Sequence, residues 1–190
     1  MNQLKSFDQI KLKNLQAYVE GEDLIFKTDS EEARVSFQDG KIIKVEHSSL
    51  DKMIMIEQPI KKLNIGERSF VREVDHFLIK GANNNLMRLG QTFHVGEGGT
   101  WSSLPHDFEN YPESDFEEVF FYLLSGGSER AIQVGKGKLF DGSEINDAWI
   151  VEDRMISQIP MGYHPVVGEP DVRVSYIWCY LCIKEEWEKI

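Results

Sequence analysis

The segment FEEVFFYLL, residues 116–124, has the length and composition of one buried β-strand. Alternation along a strand divides its side chains between two faces of a sheet. One of these faces carries Glu118, Phe120, Tyr122 and Leu124. Because both faces are apolar except at their start, the pattern predicts a strand that is covered on both sides.

The two acids that open this strand need partners, because a buried carboxylate is costly unless it is paired or binds a metal. Glu117 or Glu118 should therefore meet a donor or a cation. His106 and His164 lie in turn-rich segments at strand edges, where barrels hold ligands. Two imidazoles and one carboxylate suit a divalent metal. The spacing leaves a second interpretation open, a surface glutamate with two unrelated histidines.

Short segments of strand character extend on both sides of this strand, separated by glycine-rich turns. Asp39-Gly40 lies between two alternating runs and predicts a hairpin. Residues 1–20 are predicted to be helical or irregular. Many short strands with such turns are typical of an all-β barrel or sandwich.

The boundary between two parts of this pattern is predicted near residues 60–66, after Pro59 ends a strand. Residues 1–66 then form a small N-terminal β lobe, and residues 67–190 form a barrel domain. Open strand edges in such a fold are often buried between subunits, so we expect a homo-oligomer of unspecified size.

Composition excludes several classes of function. The 190 residues carry 21 basic and 32 acidic side chains, a formal charge of -11, which disfavours nucleic acids and anionic membranes as partners. The apolar runs are too short to span a bilayer, and no signal-peptide core opens the chain. Two cysteines give no disulfide framework, so a cytoplasmic protein is expected. Cys179 and Cys182 fall on opposite strand faces, which favours buried free thiols over a redox or metal motif.

Four blocks of the sequence, in this order, resemble the 5-deoxy-glucuronate isomerases and the related 5-keto-4-deoxyuronate isomerases. The segments that resemble those of the family are residues 89–92 (LGQT), 96–106 (GEGGTWSSLPH), 117–122 (EEVFFY) and 160–165 (PMGYHP). The segment 176–178 (YIW) is also close to the Phe-Ile-Trp of the last strand in the related isomerases. The resemblance covers about residues 70–183.

This resemblance implies a cupin fold, a double-stranded antiparallel β-barrel with a metal in its mouth. Family members are longer bicupins, so residues 1–66 would be a shortened first lobe. Their metal is held by a His-x-His pair, a glutamate and a later histidine. Carried over to this chain, the ligands are His106, Glu118 and His164, and the metal is zinc, with manganese or iron as alternatives.

One position departs from the family pattern. Phe108 stands where the second histidine of the His-x-His pair is expected, and a phenyl ring cannot bind a metal. A substitute oxygen is available from Asp107, Glu109, Glu113 or Asp115. A site with only three protein ligands is a second solution, and loss of the metal is a third.

The activity that the resemblance implies is an aldose–ketose isomerisation of a deoxy-uronate-type sugar acid. The candidate general bases are Glu117, Asp107 and Glu109, and Tyr122 is a candidate hydrogen-bond donor to substrate or a core residue. A sugar acid also needs a cation, for which the candidates are Lys136, Lys138, Arg173 and Arg154. The alternatives are a non-catalytic cupin that binds a sugar acid, an iron-dependent cupin dioxygenase and a purely structural β domain.

Overall fold

The computed structural model describes residues 12–50, 52–68, 71–79, 86–96, 117–138, 144–159 and 163–181. These residues form fourteen strands in three antiparallel sheets, which confirms the predicted all-β class. No helix in the described ranges is long and apolar enough to cross a membrane.

The N-terminal sheet contains five strands that follow one another in chain order. They are β1 (Gln16–Glu20), β2 (Asp23–Lys27), β3 (Glu31–Gln38), β4 (Lys41–Ser49) and β5 (Lys52–Ile56). The predicted hairpin joins β3 to β4, with Asp39 and Gly40 at φ angles of 51° and 73°.

β1 shows that the prediction of helical or irregular structure was wrong for residues 16–20. All five residues pair with β2, and all but one of them are exposed. Since the strand buries so little, it has no alternation of apolar side chains that would reveal it. Residues 1–11 lie outside the described residues.

The central sheet has six strands in the order β12-β9-β14-β8-β7-β6. Their bounds are β6 (Lys61–Ile65), β7 (Arg72–Leu78), β8 (Met87–His94), β9 (Glu117–Ser125), β12 (Ile156–Ile159) and β14 (Arg173–Leu181). The chain therefore changes sheet between Ile56 and Lys61. Residues 61–65, which fall in the lobe predicted for residues 1–66, pair with β7.

The third sheet, which we call the cover sheet, has the strand order β11-β10-β13. It consists of β10 (Arg130–Lys138), β11 (Glu144–Glu152) and β13 (Val166–Gly168). We call the face of the central sheet that packs against it the inner face. The opposite, outer face packs against the N-terminal sheet.

β9 is buried on both faces, as its sequence predicted. On the outer face, Val119 and Phe121 join a core with Phe26 and Val35 of the N-terminal sheet. On the inner face, Phe120 and Tyr122 join a second core that includes side chains of the cover sheet. The strand is therefore the middle layer of a three-layer structure.

The side chain of Glu31, at the start of β3, links the N-terminal sheet to the central sheet by hydrogen bonds. Its buried carboxylate accepts the backbone N–H groups of Leu86 (2.6 Å) and Met87 (3.2 Å), and His47 Nε2 lies 3.1 Å from it. Burial raises the pKa of Glu31, but the hydrogen bonds from His47 and the two backbone groups outweigh this effect. The pKa therefore lies below its ordinary value of 4.5.

We predict that Glu31→Gln lowers the free energy of unfolding by about 2 kcal/mol at pH 7. A carboxyl whose folded-state pKa is depressed stabilises the fold above its unfolded-state pKa, here 4.5, and loses this effect as the pH falls through the folded-state value. Urea titrations at pH 7 and pH 3 should therefore show a difference between variant and wild type that narrows in acid. The control is Glu32→Gln, which removes only a surface pair with Lys27. An equal loss at both pH values would contradict this role.

Candidate functional site

Glu118 and His164 meet at one end of the inner face. The Nε2 atom of His164 lies 3.2 Å from Oε2 of Glu118, and the side chains are 1% and 8% exposed. Glu118 comes from the start of β9, and His164 comes from the turn before β13. The backbone of Tyr163 exchanges two hydrogen bonds with Lys136 of β10, which fixes this turn on the cover sheet.

The geometry of this pair fits a shared metal ion. Zinc binds histidine nitrogen and carboxylate oxygen at about 2.0–2.2 Å, so two ligands of one tetrahedral ion lie about 3.3 Å apart. The 3.2 Å between Glu118 and His164 is close to that separation. Oε2 of Glu118 is also buried, and no group among the described residues forms a hydrogen bond with it. A cation would satisfy this oxygen.

The other predicted ligand and two of the candidate bases belong to the segment between β8 and β9. His106, Asp107 and Glu109 lie outside the described residues, as does Phe108. Within the ranges that the structure describes, no three His, Cys, Asp or Glu side chains cluster as metal ligands would. Two side chains of the predicted site are therefore brought together.

Glu117 lies on the outer face and takes no part in this pair. Its carboxylate accepts the backbone N–H groups of Lys13, Asn14 and Leu15 at 2.7–3.0 Å, and the side-chain amide of Asn14 at 3.0 Å. The residue is completely buried. Each of the two adjacent acids thus has a partner of its own, one on each face of β9.

Tyr122 shares the inner face with Glu118, but its hydroxyl is engaged elsewhere. The phenol donates to Oε1 of Gln133 (2.9 Å), and Nε2 of Gln133 donates to the carbonyls of His164 (2.7 Å) and Pro165 (3.1 Å). Tyr122 is fully buried, and this burial raises its pKa. These hydrogen bonds link the turn of His164 to β9 through Gln133 and engage the hydroxyl of Tyr122 within the protein.

Aromatic rings line the inner face beside the Glu118–His164 pair. Phe120 meets the His164 ring edge-on at 5.7 Å and stacks on Tyr176 at 4.4 Å. Trp178 donates its Nε1–H to Thr92 and lies over Gly90, where any Cβ would overlap the indole ring. Only glycine fits beneath this tryptophan. The site therefore has rigid apolar walls.

Cys179 behaves as predicted for a buried free thiol. It lies in the outer core, and burial raises its pKa well above the ordinary value. Cys182, the other cysteine of the C-x-x-C pair, falls outside the described residues. A thiol that is held protonated in an apolar core is a poor metal ligand.

Three of the four cations proposed from the sequence have described side chains, and all three are exposed. Lys136 and Arg173 are exposed, and Arg173 pairs with Ser125, at the end of β9 remote from Glu118. Arg154 is 71% exposed and lies over Phe37. The side chain of Lys138 is not among those described.

Sequence reasoning missed Arg88, which is buried on the inner face of β8. The signal was alternation: in MRLGQT, residues 87–92, the arginine lies between Met87 and Leu89, which are both outer-core residues. A charged residue between two such positions must point to the opposite face.

Comparisons with known proteins identify the architecture. The chain matches an IolB-like protein from Salmonella typhimurium LT2 over 94% of its length and 74% of that protein, with a TM-score of 0.59 and 14% identity. The predicted cupin fold is thereby confirmed. The chain belongs to the KduI/IolB family, whose family model matches residues 17–189.

Curated relatives match a smaller part of the chain. The 5-deoxy-glucuronate isomerase of Bacillus subtilis subsp. natto is 36% identical over 85 residues, which is 42% of this chain and 30% of the relative. That of Bacillus licheniformis is also 36% identical over 85 residues, and that of Geobacillus kaustophilus is 31% identical over 84. The matched segment thus spans less than a third of the length of these relatives.

The two acids at the start of β9 should respond differently to the same substitution. We predict that Glu117→Gln lowers the free energy of unfolding by about 2–3 kcal/mol, because charge-assisted bonds to three backbone N–H groups are weakened. Glu118→Gln should change the free energy of unfolding by less than about 1 kcal/mol, because the neutral glutamine avoids the cost of burying a charge. Chemical unfolding in the presence of a chelator measures both. Equal losses would contradict the different roles of the two faces.

Gln133 should matter more than Tyr122 for the turn that carries His164. Gln133→Leu removes both donations to the carbonyls of His164 and Pro165, whereas Tyr122→Phe removes only the bond to Gln133. We predict faster amide hydrogen exchange at Tyr163 and Lys136 in Gln133→Leu, by about tenfold or more, and little change in Tyr122→Phe. Unaltered exchange in the leucine variant would show that these bonds do not hold the turn.

Proposed function

We propose that this chain is a metal-dependent isomerase that converts a deoxy-uronate-type sugar acid between its aldose and ketose forms. The observation that carries the proposal is the buried contact of 3.2 Å between Glu118 and His164 in a member of the KduI/IolB family. The names of the curated relatives support 5-deoxy-glucuronate as the substrate. The remaining expectations, a cytoplasmic homo-oligomer without nucleic-acid or membrane partners, are part of the same proposal.

The proposed metal ligands are Glu118, His164 and His106. Zinc is the proposed ion, and manganese or iron are the alternatives. When bound, the metal supplies a Lewis acid that polarises the substrate carbonyl and the neighbouring hydroxyl. With Phe108 in place of a ligand, either Asp107 supplies an oxygen or an additional coordination position is open to water or substrate.

The remaining chemistry is a proton transfer between neighbouring carbons. A base removes the proton from the carbon that carries the hydroxyl and returns it to the former carbonyl carbon, while the hydroxyl proton passes to the former carbonyl oxygen. The carbonyl and the hydroxyl thereby exchange places with no net gain or loss of protons or electrons. We assign this role to Asp107 or Glu109, because the carboxylate of Glu117 is engaged with residues 13–15. Tyr122 and Gln133 keep His164 in place, and the buried aromatic walls restrict the access of water.

The second candidate is a cupin that binds a sugar acid without converting it. The substitution at Phe108 favours it, because the loss of one imidazole weakens the metal site that the isomerase chemistry needs. The two candidates share the substrate class and differ in metal content and turnover.

Metal analysis and turnover separate these functions. We predict about one zinc per chain, loss of 5-deoxy-glucuronate isomerisation on chelation, and loss of zinc in Glu118→Gln and His164→Gln. The control is His76→Gln, an inner-face histidine of β7 that should leave the zinc content unchanged. Stoichiometric iron with O2-dependent turnover would instead indicate a dioxygenase, and absence of any metal would indicate the binding protein.

Restoring the missing imidazole gives a second test. Phe108→His should tighten zinc binding by about tenfold or more, because it adds a nitrogen ligand at the family position. Competition with a chromophoric chelator measures this affinity. Phe37→His, on the outer side of the central sheet, is the matched control. Unchanged affinity in Phe108→His would count against the ligand arrangement.

A further inference from the structure

Arg88 is a buried cation on the inner face of the central sheet. It is 6% exposed, in a chain whose formal charge is -11. A buried guanidinium is costly unless anionic or polar groups surround it. Its Nη1 donates to the carbonyl of Met87 at 3.1 Å, which holds the group close to β8.

The register of three strands places Arg88 in the same cross-strand row as Glu118. Tyr180 of β14 pairs with Glu118 of β9 on one side and with Arg88 of β8 on the other. Directly paired residues share a sheet face, so all three belong to the inner face. Two strand spacings separate the backbone of Arg88 from that of Glu118 by about 10 Å.

We propose that Arg88 binds the carboxylate of the sugar acid while the Glu118–His164 end of the site holds the carbonyl end. This inference rests on the proposed function. Both side chains extend from the same face of the sheet, with Tyr180 on the strand between them. The separation of their backbones is comparable to the span of a six-carbon acid that bridges the two strands. The planar guanidinium matches a carboxylate with two parallel hydrogen bonds, which are strongest where water is excluded. Arg88 is thus the specificity-determining residue for an acid over a neutral sugar.

Arg72 is the competing cation and is unsuited to this role by its position. It is 7% exposed and also belongs to the inner face, but it pairs with His94, six positions further along β8 than Arg88. At about 3.4 Å per residue, this displacement is about 20 Å along the strand. That is too far for one six-carbon acid to reach both Arg72 and Glu118.

The test compares D-glucuronate with D-glucose, which differ only in having a carboxylate or a hydroxymethyl group at C6. Calorimetric titration of the full chain should show tighter binding of glucuronate. Arg88→Gln should weaken glucuronate binding by about 10- to 100-fold and leave glucose binding unchanged. Arg88→Lys keeps the charge without the planar fork, so it should show a smaller loss. Arg72→Gln, the matched buried control, should bind as wild type does.

Three outcomes would overturn the assignment: no preference of the wild type for glucuronate, unchanged binding in both Arg88 variants, or an equal loss in Arg72→Gln. If Arg88→Gln fails to fold, the role of Arg88 is still tested by Arg88→Lys and by the preference of the wild type for glucuronate over glucose. Isomerisation of 5-deoxy-glucuronate is measured in parallel. If the Arg88 variants turn over substrate with an unchanged KM, Arg88 does not bind the carboxylate, but the isomerase function stands. If binding depends on Arg88 but no turnover is seen, the isomerase function is rejected and the role of Arg88 in binding the carboxylate stands.

Discussion

The structure depends on how two neighbouring carboxylates are accommodated at the start of a strand that is buried on both faces. Glu117 and Glu118 are 0% and 6% exposed, so bulk solvent contributes little to stabilising either charge. The strand alternation points them in opposite directions. Each must therefore find its own partner, and these partners connect β9 to parts of the chain that are remote in sequence.

The different partners of Glu117 and Glu118 give the two faces of β9 different roles. On the outer face, the carboxylate of Glu117 accepts hydrogen bonds from three backbone N–H groups of residues 13–15. It thereby holds the segment that leads into the N-terminal sheet. On the inner face, Oε2 of Glu118 contacts the imidazole of His164 and has no hydrogen bond from the part of the chain that the structure describes. A fully satisfied acid stabilises a fold, whereas an incompletely satisfied acid in a rigid pocket is suited to hold a cation.

The sequence predicted what depends on local pattern and missed what depends on distant backbone. Alternation identified β9, and the Asp39-Gly40 pair identified the hairpin. The partners of Glu117 are backbone groups about 100 residues away, which carry no side-chain signature. Arg88 was missed because a strand arginine is ordinarily read as exposed, and only the register showed that it shares a row with Glu118.

The central claim is that the inner-face pair holds a cation. Diffraction from crystals grown with zinc, recorded on both sides of the zinc absorption edge, tests it most directly. We predict an anomalous peak at about 2.0–2.2 Å from the Glu118 carboxylate and from Nε2 of His164. A structure in which zinc is absent from this position, while these two side chains remain in direct contact, would contradict it.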